Sequence, residues 1–292
     1  MKTVVTNLTK VVATVVALSF TGAAAADQFY INVGADFGGN GANNTTAAGI
    51  TTTGWLEQLS IAYQSTSTIT DAGTYGAADG TLSAGDSILS SGGVSNANFN
   101  TLSDIQFNLV NNFEPAATTF GGPSNNGLTG DWGLTFGFSD LAGTWNGFGF
   151  DYTSGTVSMY YYDNTMTTVG QLVRLFDLNV SSGGDTGNST VLGGKLTNFG
   201  GAGTVNGVDA GDVFVTNFGT FEDYASLPSN EVFFAASQDT QNLGNLVFAN
   251  GVAEVSGSHN GSINFQVPEP TSIAILGLGL LGMAGASRRK AK

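Results

Sequence analysis

The sequence predicts an all-β protein: a single antiparallel β-sandwich or jelly-roll-like domain, flanked by an N-terminal signal helix and a C-terminal transmembrane helix. Three observations predict it. Between the two ends, apolar residues alternate with polar ones over short stretches and keep no sustained 3.6-residue stripe. Glycine is abundant, 43 of 292 residues against five prolines, and with Asn, Thr, Ser and Asp it interrupts the alternation about every 10 residues. The longer apolar runs lie at the two ends, each beside basic residues.

Taken in order, Lys2 and Lys10 flank a weakly polar segment. An apolar run follows from Val11 to Phe20, then Thr21-Gly22-Ala23-Ala24-Ala25-Ala26. This is the layout of a secretory signal peptide, residues 1–26, with Ala24 and Ala26 as the small-x-small pair before the cut. The alanines also admit a cut one or two residues earlier. The run falls short of the roughly 20 residues of a spanning helix. The domain proper is then 27–266. Phe29 to Val33 reads as its first strand and 34–54 as a loop. From Trp55 to Ala62 a short helix competes with a strand. Leu102–Val110 alternates, with Ile105, Phe107 and Leu109 on one side, and Trp132–Leu141 repeats the pattern. Phe148–Tyr152 and Val157–Tyr162 read as a hairpin turning at Thr153-Ser154-Gly155. Strands follow at 173–180, 213–215, 232–234, 246–248, 253–255 and 263–267, with 181–212 as a second long loop. Asn-Gly pairs at 146–147, 206–207, 250–251 and 260–261 predict turns, the last two bracketing a terminal meander.

Charge narrows the function. Residues 27–267 hold 21 acids against two basic residues, Arg174 and Lys195, a formal charge of about −19. Such a surface repels nucleic acid and anionic lipid and suits divalent cations or neutral polymers. Solubility alone accounts for it more simply than any specific charged partner does. Cysteine is absent, which excludes thiol chemistry, thiolate zinc and iron–sulfur sites.

The catalytic inventory is thin, and no catalytic residue is assigned. His259 is the only histidine. Its setting, Ser256-Gly257-Ser258-His259-Asn260-Gly261, predicts an exposed turn. Two loops suit calcium, which takes 6–8 oxygens: Asp79 with Asp86, and Asp209 with Asp212. Neither has EF-hand spacing, and turn-forming aspartates explain both. Tyr160-Tyr161-Tyr162 places rings on both faces of one strand, and Trp132 and Trp145 lie near turns. Exposed, such rings stack on sugars; buried, they pack a core.

The C-terminal segment 267–292 is more specific. Val267-Pro268-Glu269-Pro270 precedes an apolar run from Thr271 to Ala286, then Arg288, Arg289 and Lys290 as a basic stop. The run is about 24 Å long as a helix, slightly short for a hydrocarbon core of about 30 Å. The basic residues place its end inside. Gly277-Leu278-Gly279-Leu280-Leu281-Gly282 within it has the form of a dinucleotide loop but no acid after it, and reads as small residues on an apolar helix. The three parts together resemble the PEP-CTERM sorting signal of Gram-negative bacteria. That resemblance implies a substrate of exosortase, with Pro268, Glu269 and Pro270 recognised. It also implies export through the inner membrane, transient anchoring there, and release to the cell surface or an exopolysaccharide matrix. Asp79–Asp86, Trp132–Leu134, Gly155–Tyr162 and Asn260–Pro270 are also similar to flocculation-associated PEP-CTERM proteins. The expected role is adhesion, flocculation or biofilm formation. The alternatives are a carbohydrate-active enzyme and a module binding glycan through calcium.

Overall fold

Strand β2 (Gln58–Thr70) sets the architecture, because both of its edges are paired. Its inward positions Leu59, Ile61, Tyr63, Ser65, Ser67 and Ile69 are buried, and the residues between them are more exposed. Period-two alternation of this kind makes a strand rather than the competing helix. In this computed structural model the residues described are 28–37, 51–73, 78–96, 98–99, 101–114, 125, 131–185, 189–201, 203–227, 231–239, 243 and 246–267. On one edge of β2 lie β3 (Ser87–Gly93), against its second half, and β4 (Leu109–Glu114), against its first. On the other lies β14 (Val252–Gln266), antiparallel from Val252–Thr70 to Asn264–Gln58.

The remaining staves are β5 (Trp132–Trp145), β6 (Phe150–Asp163), β7 (Val173–Asp185), β8 (Ser189–Thr197) and β13 (Phe233–Asp239). Hydrogen-bonded neighbours run β2, β3 with β4, β5, β6, β7, β8, β13, β14 and back to β2. The strands β3 and β4 share one stave, interrupted by residues 94–108. The sheet is therefore a closed, eight-staved, up-and-down barrel, not the expected sandwich or jelly roll. Both architectures read as alternating strands. Pairing of β14 with β2, nearly 200 residues apart, separates them by removing the open edges that a sandwich keeps.

The lower end of the barrel, where β2 begins and β14 ends, is plugged by aromatic rings. Strands β1 (Phe29–Ile31), β11 (Phe214–Thr216) and β12 (Gly219–Thr220) form a small sheet there. A hairpin of β9 (Thr204–Val205) and β10 (Val208–Asp209) turns through Asn206 and Gly207, both at positive φ. Helix α1 (Phe221–Ser226) starts where the Asp223 N–H donates to Thr220 Oγ1 at 3.0 Å, with Glu222 and Asp223 in its first turn. Phe29, Phe214 and Phe221 from this cap meet Phe176 of β7 and Phe265 of β14, with ring centres 4.9–6.1 Å apart. Each ring is fully buried, a gain of about 1.5–3 kcal/mol apiece.

Several expected elements differ. Residues 102–107 form a 3₁₀ turn, and β4 starts only at Leu109. The Asp104 carboxylate takes the Thr101 N–H, a capping arrangement that outcompetes the alternating pattern. The hairpin at 153–155 is absent because β6 runs unbroken through it. Gly155 lies where a Cβ would sit 2.8 Å from Leu141 Cα, beside a register shift against β5. Asn260-Gly261 is likewise mid-strand in β14, and a Gly261 Cβ would meet the Ser237 carbonyl oxygen of β13. That glycine serves close strand approach, not a turn. Much of 181–212 is strand rather than loop, since β7 reaches Asp185 and β8 spans 189–197. Residues 246–248 are not a strand, and Val247 is exposed. The signal peptide with Ala24 and Ala26, Pro268, Glu269 and Pro270, the 271–286 helix, and Arg288, Arg289 and Lys290 all lie outside the described residues. Among the described residues no helix is long and apolar enough to cross a membrane.

Candidate functional site

The upper half of the barrel interior is polar. Inward positions on β2, β3, β6, β8, β13 and β14 supply Tyr63, Ser65, Ser67, Ser90, Tyr152, Thr190, Gln238 and His259, with Asp185 from β7. Phe138, Leu141, Phe150 and Leu243 complete the lining of a cavity of about 20 Å³. That is room for one water molecule. The polar groups pair among themselves: Ser67 Oγ and Ser90 Oγ are 2.8 Å apart, and the Tyr63 hydroxyl donates to the amide oxygen Oε1 of Gln238. Burial pushes the Tyr63 and Tyr152 phenols above their ordinary value. Tyr152 raises Tyr63 further, as does Asp239, while Asp185 adds to the rise of Tyr152.

His259 belongs to this interior, which corrects the expected exposed turn. It is 5% exposed, because strand alternation turns it inward between Gly257 and Gly261. Its ring stacks on Tyr63 at 4.9 Å. Nε2 lies 2.8 Å from Ser65 Oγ. Nδ1 lies 3.2 Å from the Asp239 carbonyl oxygen and 3.5 Å from its carboxylate. With Nδ1–H donating to the carbonyl, Nε2 accepts from the Ser65 hydroxyl. The order Ser–His–Asp is that of an acyl-transfer relay. Its surroundings are not: Ser65 is 4% exposed, and the adjoining space has room for only one water molecule.

The aspartates expected to bind calcium are each engaged locally. Asp79 Oδ1 accepts the Thr81 N–H at 3.0 Å and the Thr81 hydroxyl at 2.6 Å. Asp86, fully buried, accepts the N–H groups of Ala72 and Ser83, each at 2.8 Å. Asp209 accepts the Gly211 N–H at 3.0 Å, starting the 3₁₀ turn that contains Asp212. Among the described residues, no three Asp, Glu or His side chains are grouped closely enough to hold a metal. Of the tyrosine triplet, Tyr161 points inward and is buried against Trp132, at 5.9 Å. Tyr160 and Tyr162 are half-buried, and the Tyr162 ring lies over Gly133. Trp132 is core, and Trp145 is half-buried against Phe150.

Outside the barrel, a groove of about 350 Å³ lies between β8 and α1. It is lined by Lys195, Leu196, Thr197, Phe199, Glu222, Ala225, Ser226 and Glu231. Lys195 Nζ is 2.9 Å from Glu231 Oε1. Burial pushes the Glu222 carboxyl up, and the carboxylates of Asp209, Asp212 and Asp223 push it further. An aromatic ring beside mixed charges and hydroxyls suits a polar, ring-shaped ligand. Sequence reasoning missed this groove. Thr220 with Asp223 signals the helix start, but nothing local places α1 beside β8.

No curated protein and no solved structure matches the chain. One family model does, described as the PEP-CTERM protein-sorting motif, over residues 266–290. That span contains the Pro-Glu-Pro, the apolar run and Arg288 to Lys290, the three parts the sequence presents in order. The chain therefore carries a PEP-CTERM sorting tail and is an exosortase-sorted extracellular protein.

Proposed function

We propose that the mature protein is a non-enzymatic adhesive component of the cell surface or exopolysaccharide matrix, aiding flocculation or biofilm formation. The inner membrane holds it only transiently, through residues 271–286, before processing near Pro268–Pro270. The observation that carries the adhesive part is the outer groove. It sets Phe199 beside Lys195, Glu222 and Glu231 on a rigid barrel, a combination suited to stacking on a sugar ring while charged groups hold its hydroxyls. The acidic surface supports the choice of a neutral polymer over nucleic acid.

The test is electrophoresis of the secreted protein through gels containing the producing cell's own exopolysaccharide. Retardation is expected, with its loss in Phe199→Ala. Unretarded migration would refute the adhesive reading. Sorting is tested separately by the intact mass of the secreted chain: a mature protein still carrying Arg288 to Lys292 would refute it. A hydrolytic reading is favoured by one observation, the Ser65–His259–Asp239 order. Ester turnover that disappears in Ser65→Ala would establish it; the closed interior predicts none.

A further inference from the structure

At the upper mouth of the barrel two buried aspartates lie at the adjoining ends of β2 and β3, with no Lys or Arg side chain paired to either among the described residues. The β2–β3 register runs Ile69–Ile88, then Thr70–Ser87. Continued by one residue, it sets Asp71 opposite Asp86, both on the inward face shared by Ile69 and Ile88. The Ala72 N–H donates to Asp86 Oδ1 at 2.8 Å and holds the two ends together. Side chains so placed have Cβ atoms about 5 Å apart, and like charges there repel. Asp71 is 7% exposed and Asp86 fully buried. The two basic residues of the domain are engaged elsewhere, Arg174 with Asp177 and Lys195 with Glu231, each at 2.9 Å.

Three of the four carboxylate oxygens are accounted for. Asp86 takes backbone N–H groups on both oxygens, and Asp71 Oδ2 takes the Gly80 N–H at 2.7 Å. Asp71 Oδ1 is fully buried and has no partner. An unpaired buried carboxylate oxygen is costly. The extended register sets a second carboxylate next to it, so a neutral donor would satisfy the oxygen and leave the like-charge repulsion. A bound cation removes both.

We propose that Asp71 and Asp86 form a calcium site at the barrel mouth, with Asp71 Oδ1 as its anchoring ligand. Ionised carboxylates carry about four lone-pair sites each, so Asp86 bridges its amide donors and the ion. Backbone carbonyls and water complete the oxygen shell, as calcium's flexible coordination allows and magnesium's stricter octahedron does not. The ion then pins the ends of β2 and β3 and stabilises the fold.

Thermal melting and equilibrium dialysis of the secreted protein, with calcium and with chelator, test this. Calcium is expected to raise Tm and bind at one saturable site. Asp71→Asn keeps an acceptor for Gly80 but loses the charge, so both effects should vanish. Glu254→Gln removes an exposed charge from β14 and should leave both intact. The site is overturned if calcium shifts nothing, if Asp71→Asn keeps the full shift, or if Glu254→Gln loses it equally, which would mean general screening. It is also overturned if acid alone stabilises the chain while calcium does not, since a shared proton would then neutralise the pair.

Discussion

The two halves of the barrel interior solve the same packing problem with different chemistry. At the lower end Phe29, Phe176, Phe214, Phe221 and Phe265 contact one another and exclude water. At the upper end the same inward positions of β2 and β14 carry Ser65, Ser67 and His259, joined by hydrogen bonds beside a one-water cavity. Apolar rings stabilise chiefly by the area they bury. Polar partners contribute little net energy when paired and cost much when separated. The lower half thus contributes more through buried area, while in the upper half a mispaired strand would leave buried polar groups without partners. A barrel closed by strands distant in sequence needs both.

The largest effect is expected from breaking the lower half. Phe176 touches the cap rings Phe214 and Phe221 and, across the barrel, Phe265. Phe176→Ala should cost about 3–5 kcal/mol of unfolding free energy in urea, the range for deleting a buried ring. A loss below about 1 kcal/mol would mean that the cap is not docked on the barrel as described.

Alkali sharpens the comparison next. Burial holds the lower-half Tyr161 phenol up at about 12, although an Asn206 hydrogen bond pulls the other way. In the upper half Tyr63 and Tyr152 are raised by burial and by neighbouring groups that include Asp239 and Asp185. A phenol raised in the folded state gives stability that is fully present below the unfolded value of 10.0. That stability is lost as pH rises through the folded value. Unfolding free energy should therefore fall from about pH 10 upward, with Tyr161 ionising near 12 while the fold persists. Tyrosinate absorbance followed beside far-UV dichroism checks this. Complete ionisation near pH 10 with the dichroism unchanged would contradict the burial of these rings.

The sequence made strand content, polarity and the sorting tail legible, because alternation and a contiguous motif are local. It did not make closure legible. Leu59 and Ile263 read the same in a sandwich, and only their pairing across the chain makes a barrel. Glycine misled where it was read as a turn. Gly155 and Gly261 exist for close approach of a neighbouring strand, a requirement set by residues far away. Strand β3, with the sequence SILSSGG, has too little apolar content to signal itself. His259 was misplaced for the same reason as Gly261: its neighbours are turn formers, and its inward direction comes from the register of β14.

The smallest effect concerns the upper half. Ser65→Ala deletes the hydroxyl that His259 Nε2 meets at 2.8 Å, leaving a buried ring nitrogen unpaired. The expected cost is about 1–3 kcal/mol in urea unfolding. His259→Phe in the same chain should restore part of it, because a phenyl ring keeps the stacking on Tyr63 and needs no partner for Nε2, and the Asp239 carbonyl that loses its Nδ1–H donor belongs to an exposed residue. Removing both members of a buried pair is nearly neutral where removing one is not. The double variant should therefore be at least as stable as Ser65→Ala alone. If Ser65→Ala costs nothing, water from the adjoining cavity has replaced the hydroxyl, and the upper half would discriminate among strand pairings less strictly than its direct hydrogen bonds imply.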